Sequence, residues 1–251
     1  IMKKIGIIGG SGLDNPNIIK LSSDQSIDTP FGKPSSMLKE GQIEGEDVVL
    51  IARHGRDHSI TPSNVNFQAN IWALKEAGCK YILASTAVGS LREEIEPGHI
   101  VLPNQFIDFT KNRQSSFFNK NEVVHTAMAD PFCPMMIDLI SNIANDLGIT
   151  FHKNKTVISI EGPRFSTKAE SHMFKSWGAD IINMSSCPEA ALARELGLNY
   201  ASIAMSTDYD CWKEDEEPVS WELIQKIMSA NASNVLNIFK NTIPLLKNLN
   251  I

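Results

Sequence analysis

The chain has 251 residues, 42% hydrophobic and 21% charged, an ordinary globular composition with room for one large α/β domain or two small ones. Its formal net charge of −6, without a basic stripe, argues against a nucleic-acid partner, and no apolar run approaches membrane-spanning length. Cys79, Cys133, Cys187 and Cys211 are widely spaced, with no Cys-x-x-Cys and no zinc-like pairing with histidine, so they read as reduced thiols of a cytoplasmic protein without a metal site.

Lys3 and Lys4 lead into residues 5–8, an apolar strand broken by glycine rather than a signal-peptide core. The run Gly9-Gly10-Ser11-Gly12 follows. Its backbone N–H groups and the Ser11 hydroxyl suit an anion, and a tight structural turn is an equal reading. The run lacks the third glycine of a dinucleotide fingerprint and the lysine of a P-loop.

A second strand, residues 48–52, ends in Arg53-His54-Gly55-Arg56-Asp57-His58. Arginine grips an oxyanion through parallel hydrogen bonds and histidine adds a donor. A surface salt-bridge loop is the alternative. Metal binding by His54 and His58 would need a helix, which Gly55 opposes. A helix is expected over 64–77, stopping at Gly78, then a strand at 81–85. Ser85-Thr86-Ala87-Val88-Gly89-Ser90 comes next and offers hydroxyls and backbone N–H groups at a sheet's end.

Residues 100–102 read as a short strand and 110–122 as a loop. A helix over 134–147 places Met136, Leu139, Ile140, Ile143 and Leu147 on one stripe, with Gly148 as its stop. After strand 156–160, Phe165 offers an aromatic face for a flat base and Ser166 a hydroxyl. Thr167-x-x-Glu170 is a capping box that opens a helix ending near Gly178. Strand 180–184 delivers Met184 and Ser185, and Pro188 fits the first position of a helix that runs to Gly197.

The last strand, 200–205, leads into Thr207, Asp208, Tyr209 and Asp210. Carboxylates at i and i+2 share a side if the backbone stays extended. In a partly dry cleft they do not both ionise cheaply, so one holds a proton near neutral pH. Such a pair accepts from an exocyclic amine and donates to a ring nitrogen; a solvated acidic loop is the plainer reading. The acidic stretch 213–218 reads as a lid. Ser220 caps a long final helix with Leu223, Ile224, Ile227, Met228, Val235 and Phe239 inward. This alternation indicates a single α/β domain over residues 2–251, with a central mixed β-sheet flanked by helices. Its strand ends carry hydroxyls, Arg-His, an aromatic and two carboxylates, a set that describes a pocket with an anion end, an apolar middle and a base-recognition end.

These stretches resemble the trimeric purine nucleoside phosphorylase family, and within it the methylthioadenosine phosphorylases. The matching segments are residues 5–13, 28–35, 52–56, 70–76, 89–92, 105–108, 127–133, 160–166, 179–184 and 201–212, nearly the whole chain. The resemblance implies phosphorolysis of methylthioadenosine to adenine and 5-methylthioribose 1-phosphate, with phosphate as co-substrate and no cofactor. It places the phosphate on Ser11, Arg53, His54, Thr86, Ala87 and Ser185. Met184 would lie against the ribose. Phe165 and Ser166 would line the base pocket, and Asp208 and Asp210, flanked by Thr207 and Tyr209, would be catalytic at the adenine edge. Trp221 would stand in the pocket for the 5′-substituent, where the family usually has a smaller residue. His125 would reach a neighbouring subunit's site in a homotrimer. The rival readings are a hydrolytic nucleosidase, a 6-oxopurine nucleoside phosphorylase and a non-catalytic nucleoside-binding protein.

Overall fold

Apolar runs too uniform to leave a polar face become the inner strands of one mixed sheet, and amphipathic segments between them become helices. The structure, a computed structural model, describes residues 4–9, 19–118, 122–216 and 219–249. Its strands in chain order are β1 (Lys4–Gly9), β2 (Lys20–Gln25), β3 (Leu38–Ile43), β4 (Glu46–Ala52), β5 (Cys79–Ser90), β6 (Ile100–Phe109), β7 (Phe151–Ile160), β8 (Ile181–Asn183) and β9 (Asn199–Asp208). The helices are α1 (Phe67–Glu76), α2 (Pro134–Asp146), α3 (Lys168–Ser176), α4 (Ser186–Glu195) and α5 (Trp221–Leu246).

The strands lie in the order β2-β3-β4-β1-β5-β8-β7-β6-β9, and β9 pairs with β5 as well. The sheet therefore curls until β5, β8, β7, β6 and β9 close a ring. β1 runs parallel to β4 and β5, and β5 parallel to β9. Their carboxyl ends thus share one end of the sheet, where α/β proteins place ligands. Gly9, at the exit of β1, is level with Ala52 of β4.

Local signals hold where side chains answer them. Thr167 and Glu170 make the reciprocal capping box of α3, and the Ser220 hydroxyl accepts from Leu223 N–H to cap α5, each cap contributing about 1 kcal/mol. In α5, Ile224, Met228, Val235 and Phe239 are buried, while Leu223 and Ile227 are only half-buried. The buried stripe of α2 is Met136, Ile137, Ile140, Ser141, Ile143 and Ala144. Leu147 lies beyond the last turn and is exposed, because the helix ends before it can return to the core.

Other boundaries move. The helix expected from residue 64 starts at Phe67, since Pro62–Asn64 forms a 3-10 turn and Asn66 supplies the cap. β5, β6, β7 and β9 all outrun their apolar cores, because ladder pairing continues through polar residues. β2 and β3 were not expected at all. β2 is exposed along its whole length and β3 buries only its two ends, so neither carries a hydrophobic period. β2, mostly polar and exposed, is the edge strand on its side of the sheet, and β3 joins it to β4.

Candidate active site

The carboxyl ends of β5, β7, β8 and β9, the turns after β4 and β8 and the start of α5 enclose a cavity of about 320 Å³. Arg53, His54, Thr86, Ala87, Phe165, Ser166, Met184, Ser185, Thr207, Asp208, Asp210 and Trp221 all line it. Ser11 lies outside the described residues; Arg53 N–H donates to Gly9 O at 2.9 Å, which sets the start of the glycine run beside the Arg-His cluster.

The two arginines of that cluster part company. Arg56 makes an exposed ion pair with Asp24, the surface salt bridge of the alternative reading. Arg53 is 1% exposed. Its Nε and Nη2 donate to the two carboxylate oxygens of Glu189, each at 2.7 Å, and its Nη1 to Ser85 O at 2.8 Å. Tyr200 Oη donates to Glu189 Oε1 at 2.7 Å. A guanidinium has five N–H donors, so two remain, one on each terminal nitrogen, after these described partners. Burial works against the Arg53 charge, and the Glu189 carboxylate offsets it, raising the guanidinium pKa above its ordinary value. Sequence patterns missed Glu189. The one signal was its place in the first turn of α4, directly after Pro188.

His54 corrects the expectation of a second donor. Its Nδ1 lies 2.9 Å from Ile60 O, and a carbonyl only accepts, so Nδ1 carries the proton. Burial and the neighbouring Arg53 charge lower its pKa to about 4, so the ring is neutral at pH 7 and Nε2 is an acceptor. Nearby, Thr86 Oγ1 and Ser185 Oγ are 2.9 Å apart. Asn183, also a cavity residue, orients these hydroxyls: its Nδ2 donates to Ser186 Oγ at 2.8 Å and to Thr86 Oγ1 at 3.3 Å, and its Oδ1 accepts from Ser159 at 2.9 Å. Thr86 and Ala87 lie inside β5 rather than after it.

β5 and β9 carry the cavity away from this anion-suited end. Val88 pairs with Ser206, but Gly89 pairs with Asp208, so Thr207 is an extra residue. A bulge of this kind re-aims side chains, and it brings both Thr207 and Asp208 to the cavity. From Thr86 to Gly89 is three residues, about 10 Å along a strand. β8 runs antiparallel to β5 with Ile182 opposite Gly89, so Met184 falls between the two ends. Two glycines clear the space. A Cβ on Gly89 would stand 3.0 Å from Asp208 Oδ1, and one on Gly162, at φ +72°, would stand 2.5 Å from Met184 Sδ.

The acidic pair is buried, so the solvated-loop reading falls. Its geometry also differs from an extended i, i+2 pair. Asp210 adopts φ 52°, and its N–H donates to Asp208 Oδ1 at 2.8 Å, while Thr207 Oγ1 donates to Asp208 Oδ2 at 2.7 Å. Burial, with a smaller push from Asp210, raises the Asp208 carboxyl to about 6 against those two hydrogen bonds. Asp210 is also raised by burial, opposed chiefly by the nearby Ser171 hydroxyl.

Of the remaining expected contacts, Tyr209 alone is placed differently. Tyr209 is turned away from the cavity into a second apolar cluster, edge-on to Trp212, with its hydroxyl on Glu93 O; its two carboxylate neighbours take the cavity side, so its ring faces the opposite way. His125 is exposed and outside this chain's cavity. Trp221 lines the cavity but is 40% exposed, and it stacks on His58 at 5.2 Å.

The Phosphorylase superfamily profile matches residues 4–244. The S-methyl-5′-thioadenosine phosphorylase of Xenopus tropicalis is 53% identical over 247 residues, covering 96% of this chain and 88% of the relative. The chain belongs to the phosphorylase superfamily, among the S-methyl-5′-thioadenosine phosphorylases. Solved structures agree with this membership. Methylthioadenosine phosphorylase from Schistosoma mansoni in complex with adenine superposes with a TM-score of 0.95 at 40% identity, covering 99% of this chain and 93% of that one. A variant of the Schistosoma mansoni adenosine/methylthioadenosine phosphorylase in complex with methylthioadenosine gives 0.93 at 39% identity, with the same coverage. The mixed α/β single-domain fold is the one that this family shares.

Proposed function

We propose that the protein catalyses phosphorolysis of S-methyl-5′-thioadenosine to adenine and 5-methylthioribose 1-phosphate, a pentosyl transfer serving purine and methionine salvage. The observation that carries this reading is one cavity in which buried Arg53, Thr86 and Ser185, with half-buried His54, stand about 10 Å along β5 from a buried carboxyl pair. That spacing suits a phosphate, a pentose and a purine in a row. Relatives 45–53% identical carry this name.

Phosphate takes the two remaining Arg53 N–H donors, the Thr86 and Ser185 hydroxyls, Ala87 and, in this reading, Ser11. His54 Nε2 accepts from a protonated phosphate oxygen. Met184 lies under the ribose, and Phe165 and Ser166 flank the base. Phosphate is a weak nucleophile and adenine a poor leaving anion, so the glycosidic bond stretches first. The bound phosphate stabilises the oxocarbenium-like sugar and then traps it at C1′. Asp208, with its raised pKa, donates a proton toward N7 as charge builds on the purine. Asp210 accepts from the 6-amino group. This chemistry needs neither a metal nor an organic cofactor.

Adenine release from methylthioadenosine is therefore expected to depend strictly on phosphate. Phosphate-free release would indicate a hydrolase, a preference for methylthioinosine would indicate a 6-oxopurine phosphorylase, and binding without release would indicate a carrier.

We also infer a homotrimer, in which His125 reaches a neighbouring subunit's site. Its support is the exposed position of His125 beside the exposed Val123, together with the family resemblance. Active enzyme is expected to sediment as a trimer at assay concentration; active monomers would refute the crossing. The unpaired thiols support a cytoplasmic setting, and among the described residues no helix is long and apolar enough to cross a membrane.

A further inference from the structure

Arg113 sits in the loop after β6, outside the cavity, yet its side chain is 3% exposed and its donors reach three separate parts of the site. Nη1 donates to Met184 O and to Cys187 O, each at 2.7 Å. Nη2 donates to Glu161 O at 2.7 Å and to Ile160 O at 3.3 Å, and Nε to Glu161 Oε1 at 3.2 Å. All five N–H donors are engaged, four of them by backbone carbonyls. The guanidinium also lies over the Phe67 ring, 5.0 Å from its centroid. Glu161 completes the fastening by accepting from Lys111 N–H at 2.6 Å and Asn112 N–H at 2.9 Å.

We propose that Arg113 is a positioning residue for the anion and sugar positions of the cavity. By holding the carbonyls of Met184 and Cys187 on one nitrogen, it sets the arch that runs 184–187. The shape of that arch fixes where Ser185 Oγ meets Thr86 and where the Met184 side chain crosses the cavity. By holding Ile160 O and Glu161 O on the other nitrogen, it fixes the end of β7, from which Gly162 and Phe165 continue. Lysine cannot replace it. An ammonium has three donors and no planar fork, so it cannot span carbonyls of β7, Met184 and Cys187 together. Phe165 offers every purine the same flat face, whereas Asp208 and Asp210, which tell a 6-amino from a 6-oxo base, make no described contact with Arg113, so the preference between those bases is independent of it.

This proposal rests on the phosphorylase reading, and its test separates the two. In Arg113→Lys, KM for phosphate and for methylthioadenosine are expected to rise together by about ten-fold or more, as displacement of positioned groups does. The preference for methylthioadenosine over methylthioinosine is expected to stay at the wild-type value. Free guanidinium, below denaturing concentration, is expected to restore KM in Arg113→Ala, while sodium at equal ionic strength does not. If Arg113→Ala does not fold, Arg113→Lys alone decides. A lower melting temperature with both KM values unchanged, or a shifted base preference, would overturn the proposal. Phosphate protection against thermal unfolding provides a readout without turnover. If wild type is protected but releases no adenine, the phosphorylase reading fails, and loss of protection in Arg113→Lys still supports the positioning role.

Discussion

Asp208→Asn is expected to lower methylthioadenosine phosphorolysis by roughly 10²–10⁴-fold, the usual contribution of a positioned general acid, while stabilising the empty protein near neutral pH. Both effects have one cause, a carboxyl held where its charge is costly. Its folded pKa of about 6 lies above the ordinary value of 3.8. The native state therefore binds more protons than the unfolded chain between those values, and stability falls as pH rises through that window. Two pKa units correspond to a penalty on the order of 3 kcal/mol, present in full above about pH 6 and absent below about pH 4. Asparagine carries no such penalty. It can still accept from Asp210 N–H, and Thr207 Oγ1, which also lies 3.2 Å from Val88 O, can turn to accept from the new amide. The stability gap between variant and wild type is expected to open from about pH 4 to 6 and to persist at pH 8. In activity, the amide donates toward O6, so the preference shifts toward methylthioinosine. Melting curves across that pH range and kcat/KM for both nucleosides check this. An unchanged preference ratio would show that the base is read elsewhere, and equal stability at neutral pH would show that the Asp208 charge is not penalised.

Sequence patterns exposed this carboxyl because it follows an apolar run, as do Arg53 and Thr86 on the parallel strands β4 and β5; Ser185 also follows one, but it arrives from β8, which runs antiparallel to β5. Strands of a parallel sheet deliver their ends to one place, so polar residues after such runs are gathered without any long-range information. What escaped the patterns depends on partners far along the chain. Glu189 meets Arg53 across 136 residues, and Arg113 meets Met184 across 71; neither pairing leaves a local trace. The bulge at Thr207 was equally hidden, because it exists only in the register of β9 against β5. Alternation would have placed Asp208 and Asp210 on one side of an extended strand. The chain instead turns at Asp210, and the shared side survives through a hydrogen bond between the two residues. β2 has no apolar period because it is an exposed edge strand, and β3, paired between β2 and β4, buries only Leu38 and Ile43, so neither leaves an alternating pattern.

Arg53→Ala is expected to fail for two separable reasons. It removes the cation from the anion-suited end of the cavity, a loss of transition-state stabilisation of about 3–4 kcal/mol. It also strands Glu189, which is 0% exposed and would keep only its hydrogen bond from Tyr200 among the described partners. Breaking a buried pair from one side costs about 3–5 kcal/mol of stability. A dead Arg53→Ala protein is therefore ambiguous taken singly. The double variant Arg53→Ala/Glu189→Gln removes the stranded charge, and its amide oxygen still accepts from Tyr200. Its melting temperature is expected to return toward wild type, while its phosphate saturation stays impaired to the same degree as in Arg53→Ala. Glu189→Gln alone keeps the cation but frees it from the bidentate grip that aims its two remaining N–H groups. Its phosphate KM is expected to rise less than that of either Arg53→Ala protein. Melting curves and phosphate KM for all four proteins close the cycle. Wild-type phosphate saturation in the double variant would mean that Arg53 serves only to neutralise Glu189, and the anion end of the cavity would then rest on the hydroxyls of Thr86 and Ser185.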